Sequence, residues 1–497
     1  MRQGYVAVTV AVVGAIAGCA PHIRPPVPSI ALPVAYTPPA AAQTDAARLD
    51  RWWIAFGDAQ LDALIDTALA RSTDARLAFA TLREARAIRR GAFASTLPAG
   101  NVGASFTRQY TTRLSSNAPQ IDLGTGAATS DLADLFTPTG AIDSFSIDAA
   151  PRWEVDLFGR LSSTRIEARA SFAAAYLDYE AARLSLAADV AIDLFEARGY
   201  AAQLADARET LRIATALADA ARLGVERGVT AGSDSDRLTT DVANADAEIA
   251  RLQALLDSSR RALLVLVGRP AEAVSSIAIV PELAAPPEVQ GSAPAALLQR
   301  RPDVRAAEMR LIAASAQVGI DRAALFPRLT LQPGVTLSGT NSPIGANNLI
   351  WQIGAGLALP ILNRPALLAQ LRISASRGDQ AAIRYEAAVQ TAFREAERAL
   401  TNVAADRIRQ VALGRATNSA RRAFEAKQIG FRLGLNDLTT LLQAETAWRA
   451  ARAALTTQQV SSLQNTVTAF KVLGGGWAPP ADAGAAGLSL TDPRDLP

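Results

Sequence analysis

Two stretches of this chain limit its fold more than any other feature. Leu161–Glu226, about 66 residues, contains no proline, and Pro365–Leu433, about 69, has one only at its first position. At 1.5 Å per residue each predicts a helix roughly 100 Å long. Gly228 and Gly434 follow them, suited to left-handed caps that end each helix. Shorter helices are expected to return over Asp234–Val267 and Asp437–Leu473. Neither matches its long neighbour alone. Joined with Asp303–Leu325, the first gives about 57 residues, and joined with Asp58–Ser95 the second gives about 75, so end-to-end stacking in those pairs is the expectation. Val389, Phe393, Ala396, Leu400 and Val403 follow a seven-residue repeat that breaks at Arg407 and Gln410. Arg and Glu run along all these helices, so they cannot lie in hydrocarbon and must project into water.

Each long helix follows a pair of strand patterns, which makes the chain two similar halves. In the first, Val102, Ala104 and Phe106 share a face, and Gly103, Ser105 and Thr107 share the other. Phe145, Ile147, Ala149, Trp153, Val155 and Leu157 then alternate with Ser144, Ser146, Asp148, Arg152, Glu154 and Asp156, read as one return strand. In the second half, Leu329, Leu331, Val335 and Leu337 alternate with Thr330, Gln332, Thr336 and Ser338, and Trp351, Ile353, Leu357 and Leu359 with Gln352, Gly354 and Gly356. Thr111–Gly140 and the shorter Gly339–Asn348 read as loops. Strands of about nine to eleven residues are long enough to cross a bilayer. Four cannot close a barrel, and an open sheet in lipid leaves its edges unpaired. The chain must therefore pool strands with copies of itself, and three copies give twelve, within the range of outer-membrane barrels.

Composition removes most chemistry. The chain has one His, His22, and one Cys, Cys19. That leaves no Ser–His triad, His–metal cluster, thiolate metal site or disulfide framework, and no cofactor or metal is expected. Glu395 and Glu397 lie two apart on a helix and face different ways, so they make a poor carboxylate pair. The net charge of +3, without a basic-aromatic cluster, gives no sign of nucleic acid as a partner. No enzyme is expected. At the start, Arg2 precedes an apolar run Val6–Ile16 and small residues leading to Cys19, which reads as an export signal too short to span a bilayer. Ile16-Ala17-Gly18-Cys19 resembles a bacterial lipobox, in which the Cys becomes the acylated first residue; by that resemblance Ala20, rather than Asp, favours sorting to the outer membrane. The expected organisation is a signal peptide over 1–18, an acylated tether over 19–57, a first repeat over 58–268, a linker over 269–301, a second repeat over 302–477 and a tail over 478–497. Trp52, Trp53 and Phe56 suit either a membrane-interface belt or a helix joint; their place before a helix favours the joint.

Several motifs in order carry a family resemblance: Trp53-Ile54-Ala55-Phe56-Gly57-Asp58 with Leu61 and Leu64-Ile65; Arg301-Pro302-Asp303-Val304-Arg305 with Ala307-Glu308; Ala324-Leu325-Phe326-Pro327; Arg394-Glu395-Ala396-Glu397; and Leu473-Gly474-Gly475-Gly476-Trp477. Over nearly the whole mature chain this resembles the TolC family of outer-membrane efflux proteins, in its lipoprotein branch serving resistance-nodulation-division (RND) pumps. The resemblance implies a mainly α fold with a small β part: four membrane strands per chain, a twelve-stranded barrel in a homotrimer and a long antiparallel α-helical barrel reaching into the periplasm. It implies an exit duct in the bacterial outer membrane, docked to a periplasmic adaptor (membrane fusion) protein and an inner-membrane RND transporter, and conducting drugs or other small molecules. The same fold serves type I protein secretion, the alternative reading; a periplasmic scaffold is a third. The turns Gly228-Val229-Thr230 and Gly434-Leu435-Asn436 match the family's adaptor-docking tips. Arg222, Asp234, Asp236, Arg432 and Gln443 are the candidates for its gate. Where relatives read Leu-Asp-Ala-Gln after the second tip, this chain reads Leu442-Gln443-Ala444-Glu445, which removes a charge from Gln443 and puts one at Glu445.

Overall fold

The computed structural model describes residues 50–112, 140–228, 231–289, 300–341 and 346–475. Cys19, Val229, Thr230, Trp477 and most of the first loop lie outside them. The helices are α1 (Ala59–Arg71), α2 (Thr73–Ala94), α3 (Arg160–Glu226), α4 (Gly232–Leu266), α5 (Pro302–Ala323), α6 (Arg364–Arg432) and α7 (Leu438–Val472). The strands are β1 (Val102–Thr111), β2 (Gly140–Ala149), β3 (Trp153–Val155), β4 (Arg328–Thr340) and β5 (Asn347–Ala358). Two compact units divide the chain. Arg86–Ser171 and Leu311–Ala381 hold the sheet with adjoining helical segments; the second unit, with Phe172–Arg310 and Ala382 onward, is helical.

The long helices α3 and α6 run 67 and 69 residues, as their freedom from internal proline predicts. The expected helix over Asp58–Ser95 is instead two. Ser72 takes an extended conformation (φ −53°, ψ 144°), and its hydroxyl accepts the N–H of Asp74 at 3.1 Å, an N-cap that restarts the chain as α2. This break makes the two halves equal: α2 and α5 have 22 residues each, and α4 and α7 have 35 each. The stacking pairs inferred from length are accordingly exchanged. The end of α4 abuts the α1–α2 joint, where Gly268 lies against the carbonyl of Arg71. The end of α7 abuts the start of α5, with Arg301 Nη1 donating to the Val472 carbonyl at 3.4 Å. Lengths summed over an unbroken Asp58–Ser95 could not reveal this.

One large core holds most of the helical unit. Trp52 and Trp53, in a 3-10 turn ahead of α1, are buried against α3, α4, α6 and α7, so they are joint residues rather than belt aromatics. Trp52 is wholly buried and stacks on Phe470 of α7 with centroids 5.8 Å apart. Asp58 caps α1 through the N–H groups of Gln60 (3.0 Å) and Leu61 (3.1 Å) and takes a bidentate grip from Arg198 of α3. Burial raises its pKa, but Arg198 and the two N–H groups outweigh that and leave it below the ordinary value. The second half has its own clamp: Arg301, nearly buried, forks onto Asp303 and reaches Glu395 of α6 at 2.9 Å. Motif segments far apart in sequence thus meet as packing. The heptad of α6 faces the core through Val389, Ala396 and Leu400; where it breaks, buried Asp406 accepts from Gln458 and Asn465 of α7, each at 2.7 Å.

Among the described glycines only Gly268 and Gly474 combine a positive φ with backbone close against the missing Cβ. At Gly268 φ is +73°, and a Cβ would stand 2.7 Å from the Arg71 carbonyl oxygen. Gly268→Ala is expected to lower stability by clearly more than the roughly 1–2 kcal/mol of left-handed strain alone. Gly228→Ala, at φ +72° with open space around it, should lose only that local amount. Urea midpoints of the two purified variants separate the terms.

Candidate functional site: a two-faced sheet and two helical turns

The sheet pairs every neighbour antiparallel, in the lateral order β1, β2 with β3, β4, β5. The expected single return strand is interrupted at residues 150–152, where Pro151 has no N–H to donate and Arg152 forms only an isolated bridge with Ala99. β2 and β3 nonetheless lie against successive parts of β4, so they fill one strand position.

Register makes the two faces chemically distinct. On one, Val102 opposes Ala149, which opposes Val335, which opposes Trp351. The next row is Ala104, Ile147, Leu337 and Leu349, and lower down Trp153 meets Leu331 and Val155 meets Leu329 and, beyond it, Leu357. Most of this face is exposed, Trp351 by 79% and, elsewhere on the same face, Ile353 by 75% and Phe106 by 72%, while Ala149, Val155, Leu329 and Leu331 are half-buried. The opposite face repeats Ser105, Ser146, Ser338 and Asn348, with Asp148 and Thr336 in the next row. Ser105 and Ser146 share a hydrogen bond of 2.9 Å. A continuous apolar face of this extent left uncovered is a surface for lipid, and the polar face is a surface for water. At one end of the apolar face, Arg108 and Asp143 form an ion pair at 3.2 Å, followed by Tyr110, the polar and aromatic boundary a membrane strand places at a headgroup layer. At the other end Arg160 forks onto Glu154, and Asp156 caps α3 through Leu161 and Ser162. Among the described residues no helix is long and apolar enough to cross a membrane. No metal-holding group of His, Cys, Asp or Glu occurs among them either.

A model of the outer membrane efflux protein family matches residues 64–269 and 293–475. The chain belongs to the outer membrane efflux protein family. It is 30% identical over 457 residues to the pyoverdine export outer membrane protein OpmQ of Pseudomonas putida, covering 91% of this chain and 94% of that one. The OpmQ of Pseudomonas aeruginosa is 31% identical over 445 residues, covering 88% and 90%. The solved outer-membrane channel OprN superposes with a TM-score of 0.73 at 26% identity, covering 91% of this chain and 99% of that one. This family member is therefore an outer-membrane protein, the efflux channel of a tripartite pump, with the mainly helical TolC-like fold and small β part that the resemblance implied.

The two turns carry the residues that the resemblance assigned to docking and gating. Gly228 and Gly434 have φ of +72° and +71°, each accepting the left-handed conformation that ends a long helix. Leu433 and Leu435 flank Gly434 and are exposed, while Asn436 Nδ2 reaches back to the Lys427 carbonyl at 3.4 Å. Arg222 pairs within α3, with Asp219 at 3.7 Å and Glu226 at 3.5 Å, rather than across to α4. Asp234 sits in the first turn of α4, where its charge favours the helix N-terminus, and Asp236 is exposed on the same helix. Arg432 ends α6 and is exposed. Gln443 points to the outside of α7, whereas Glu445 is buried. This chain thus carries a carboxylate at the buried position 445 and an uncharged side chain at the exposed position 443.

Proposed function

We propose that three copies of this chain form the working channel, closing four strand positions each into a twelve-stranded barrel whose polar face lines the pore. One observation carries this reading: among the described residues β1 pairs only with β2 and β5 only with β4, so a sheet with one apolar face ends in two open edges. In lipid those edges require strands from elsewhere, and a copy of the same sheet supplies them. The helices continue the duct into the periplasm. The turns Gly228-Val229-Thr230 and Gly434-Leu435-Asn436 dock a periplasmic adaptor that joins the channel to an inner-membrane RND transporter, and the gate lies among Arg222, Asp234, Asp236, Arg432 and Gln443. Cys19 carries the acyl anchor, and residues 19–57 tether it to the first of two structural repeats. Passage involves no catalytic step. Relatives named for pyoverdine export and for antibiotic and toluene efflux support small organic cargo over polypeptide.

The experiment is palmitate labelling of cells together with drug susceptibility of a deletion strain complemented by wild type or by Cys19→Ser. Labelling of wild type only, and hypersensitivity of the deletion strain, are expected. Equal labelling of Cys19→Ser would remove the anchor from this reading, and unchanged susceptibility of the deletion strain would remove drugs from its cargo. Light scattering of the full-length protein in detergent tests the trimer, and a monomer as the dominant species would contradict it.

A further inference from the structure

The apolar seam that joins α3, α4 and α7 is interrupted. Near the turns, Ala221, Leu238 and Leu442 form a small cluster; farther along, Leu204, Leu252 and Leu256 belong to the main core. Between them lies a cavity of about 460 Å³, within the range that holds small organic ligands.

Its charges do not balance. Glu209 is held by Arg212 at 2.6 Å, Glu248 by Arg251 at 2.6 Å and Asp206 by Arg452. Two lining carboxylates remain, Glu445 of α7 and Asp241 of α4; Arg449 stands 3.7 Å from Glu445, and Asp241 has no ion pair among the described residues. Among the described residues the cavity therefore holds one carboxylate more than its cations neutralise. Glu445 is the exceptional member: 3% exposed, bordering the cavity, and without a side-chain hydrogen bond among the described residues. Burial pushes its pKa upward; Arg449 opposes this and Asp241 adds to it. A buried carboxylate whose one charged partner stands off at 3.7 Å is costly, and a cation in the cavity would relieve it.

The walls narrow the kind of cation. The two acidic groups left stand on different helices, Asp241 on α4 and Glu445 on α7, facing one cavity. Trp448 stacks on Phe424 at 5.1 Å and carries the Arg452 guanidinium 5.6 Å from its ring centroid, which fixes one wall. Ile213, Leu217 and Ala245 give the remaining lining an apolar part.

We propose that this cavity binds a small organic monocation, its ammonium group against Glu445 and Asp241 and its hydrocarbon against Ile213 and Leu217. All of the lining residues named here belong to one chain.

The test uses the full-length protein in detergent and isothermal titration with benzyltrimethylammonium, benzyl alcohol as the neutral control and benzenesulfonate as the anionic one. Saturable binding of the cation, one per chain, is expected, with no saturable binding of either control. Glu445→Gln and Asp241→Asn should each weaken it by about tenfold or more, while Asp193→Asn, outside the cavity on α3, should leave it unchanged. Circular dichroism checks that each variant folds; should Glu445→Gln not fold, Asp241→Asn, at a partly exposed position, carries the comparison. Absence of saturable binding up to about 10 mM, equal binding of benzyl alcohol, or undiminished binding in the folded acidic variants overturns the proposal.

Discussion

Val335→Lys should abolish recovery of the protein in the outer membrane, whereas Thr336→Lys, one residue along the same strand, should leave insertion intact and alter conductance. Val335 lies midway along β4 on the apolar face, opposite Trp351 on one side and Ala149 on the other. A lysine there meets hydrocarbon at the middle of the sheet, at a cost of about 2–4 kcal/mol in each copy. Thr336 faces Asp148 across the polar side, so a lysine gains a carboxylate neighbour and water. Membrane fractionation with drug susceptibility measures the first effect, and single-channel recording in planar bilayers the second. Equal membrane levels of the two variants would refute the assignment of the faces, and loss of Thr336→Lys alone would reverse it.

The second large effect belongs to the helical unit. Trp52→Ala should destabilise the protein by about 3–5 kcal/mol, the range for emptying a large aromatic site in a core. Trp52 has no exposed surface; it stacks on Phe470 and meets Trp53 and Phe56 edge-on at 5.7 and 5.9 Å. Its indole N–H has no hydrogen-bond partner among the described residues, so only the ring counts. Trp52→Phe keeps an aromatic face toward Phe470 and should cost no more than about 1.5 kcal/mol. Urea unfolding of the purified protein discriminates, and similar losses in both variants would show that stacking is not what Trp52 contributes.

These contrasts show what could be read before the structure. Alternation in the strands named both faces correctly, because a period of two survives any change of neighbour that keeps register. It did not show Pro151 interrupting β2 and β3, since residues 149 and 153 keep the same parity across the gap. The break at Ser72 had a local sign, a Ser-Thr-Asp run suited to a cap, but the expected helix over Asp58–Ser95, resting on the periodicity of Leu61, Leu64, Ile65 and Leu69, runs straight through it. Missing it led directly to the wrong stacking pairs. The inward turn of Glu445 was not legible at all. Its burial comes from three helices meeting, and the Ala-rich sequence of α7 marks its inner face too weakly for a period of 3.6 to reveal. The tip glycines were legible because their role is local.

The two open edges of the sheet also bear on the life of the protein before it works. A lone chain carries an apolar strand surface and two rows of unpaired backbone groups into the periplasm, where any other exposed strand can join them. For the trimer proposed above, time spent in transit is the hazardous interval, and its length depends on how soon sister chains meet. Slow synthesis, rather than high output, would leave each newcomer waiting longest.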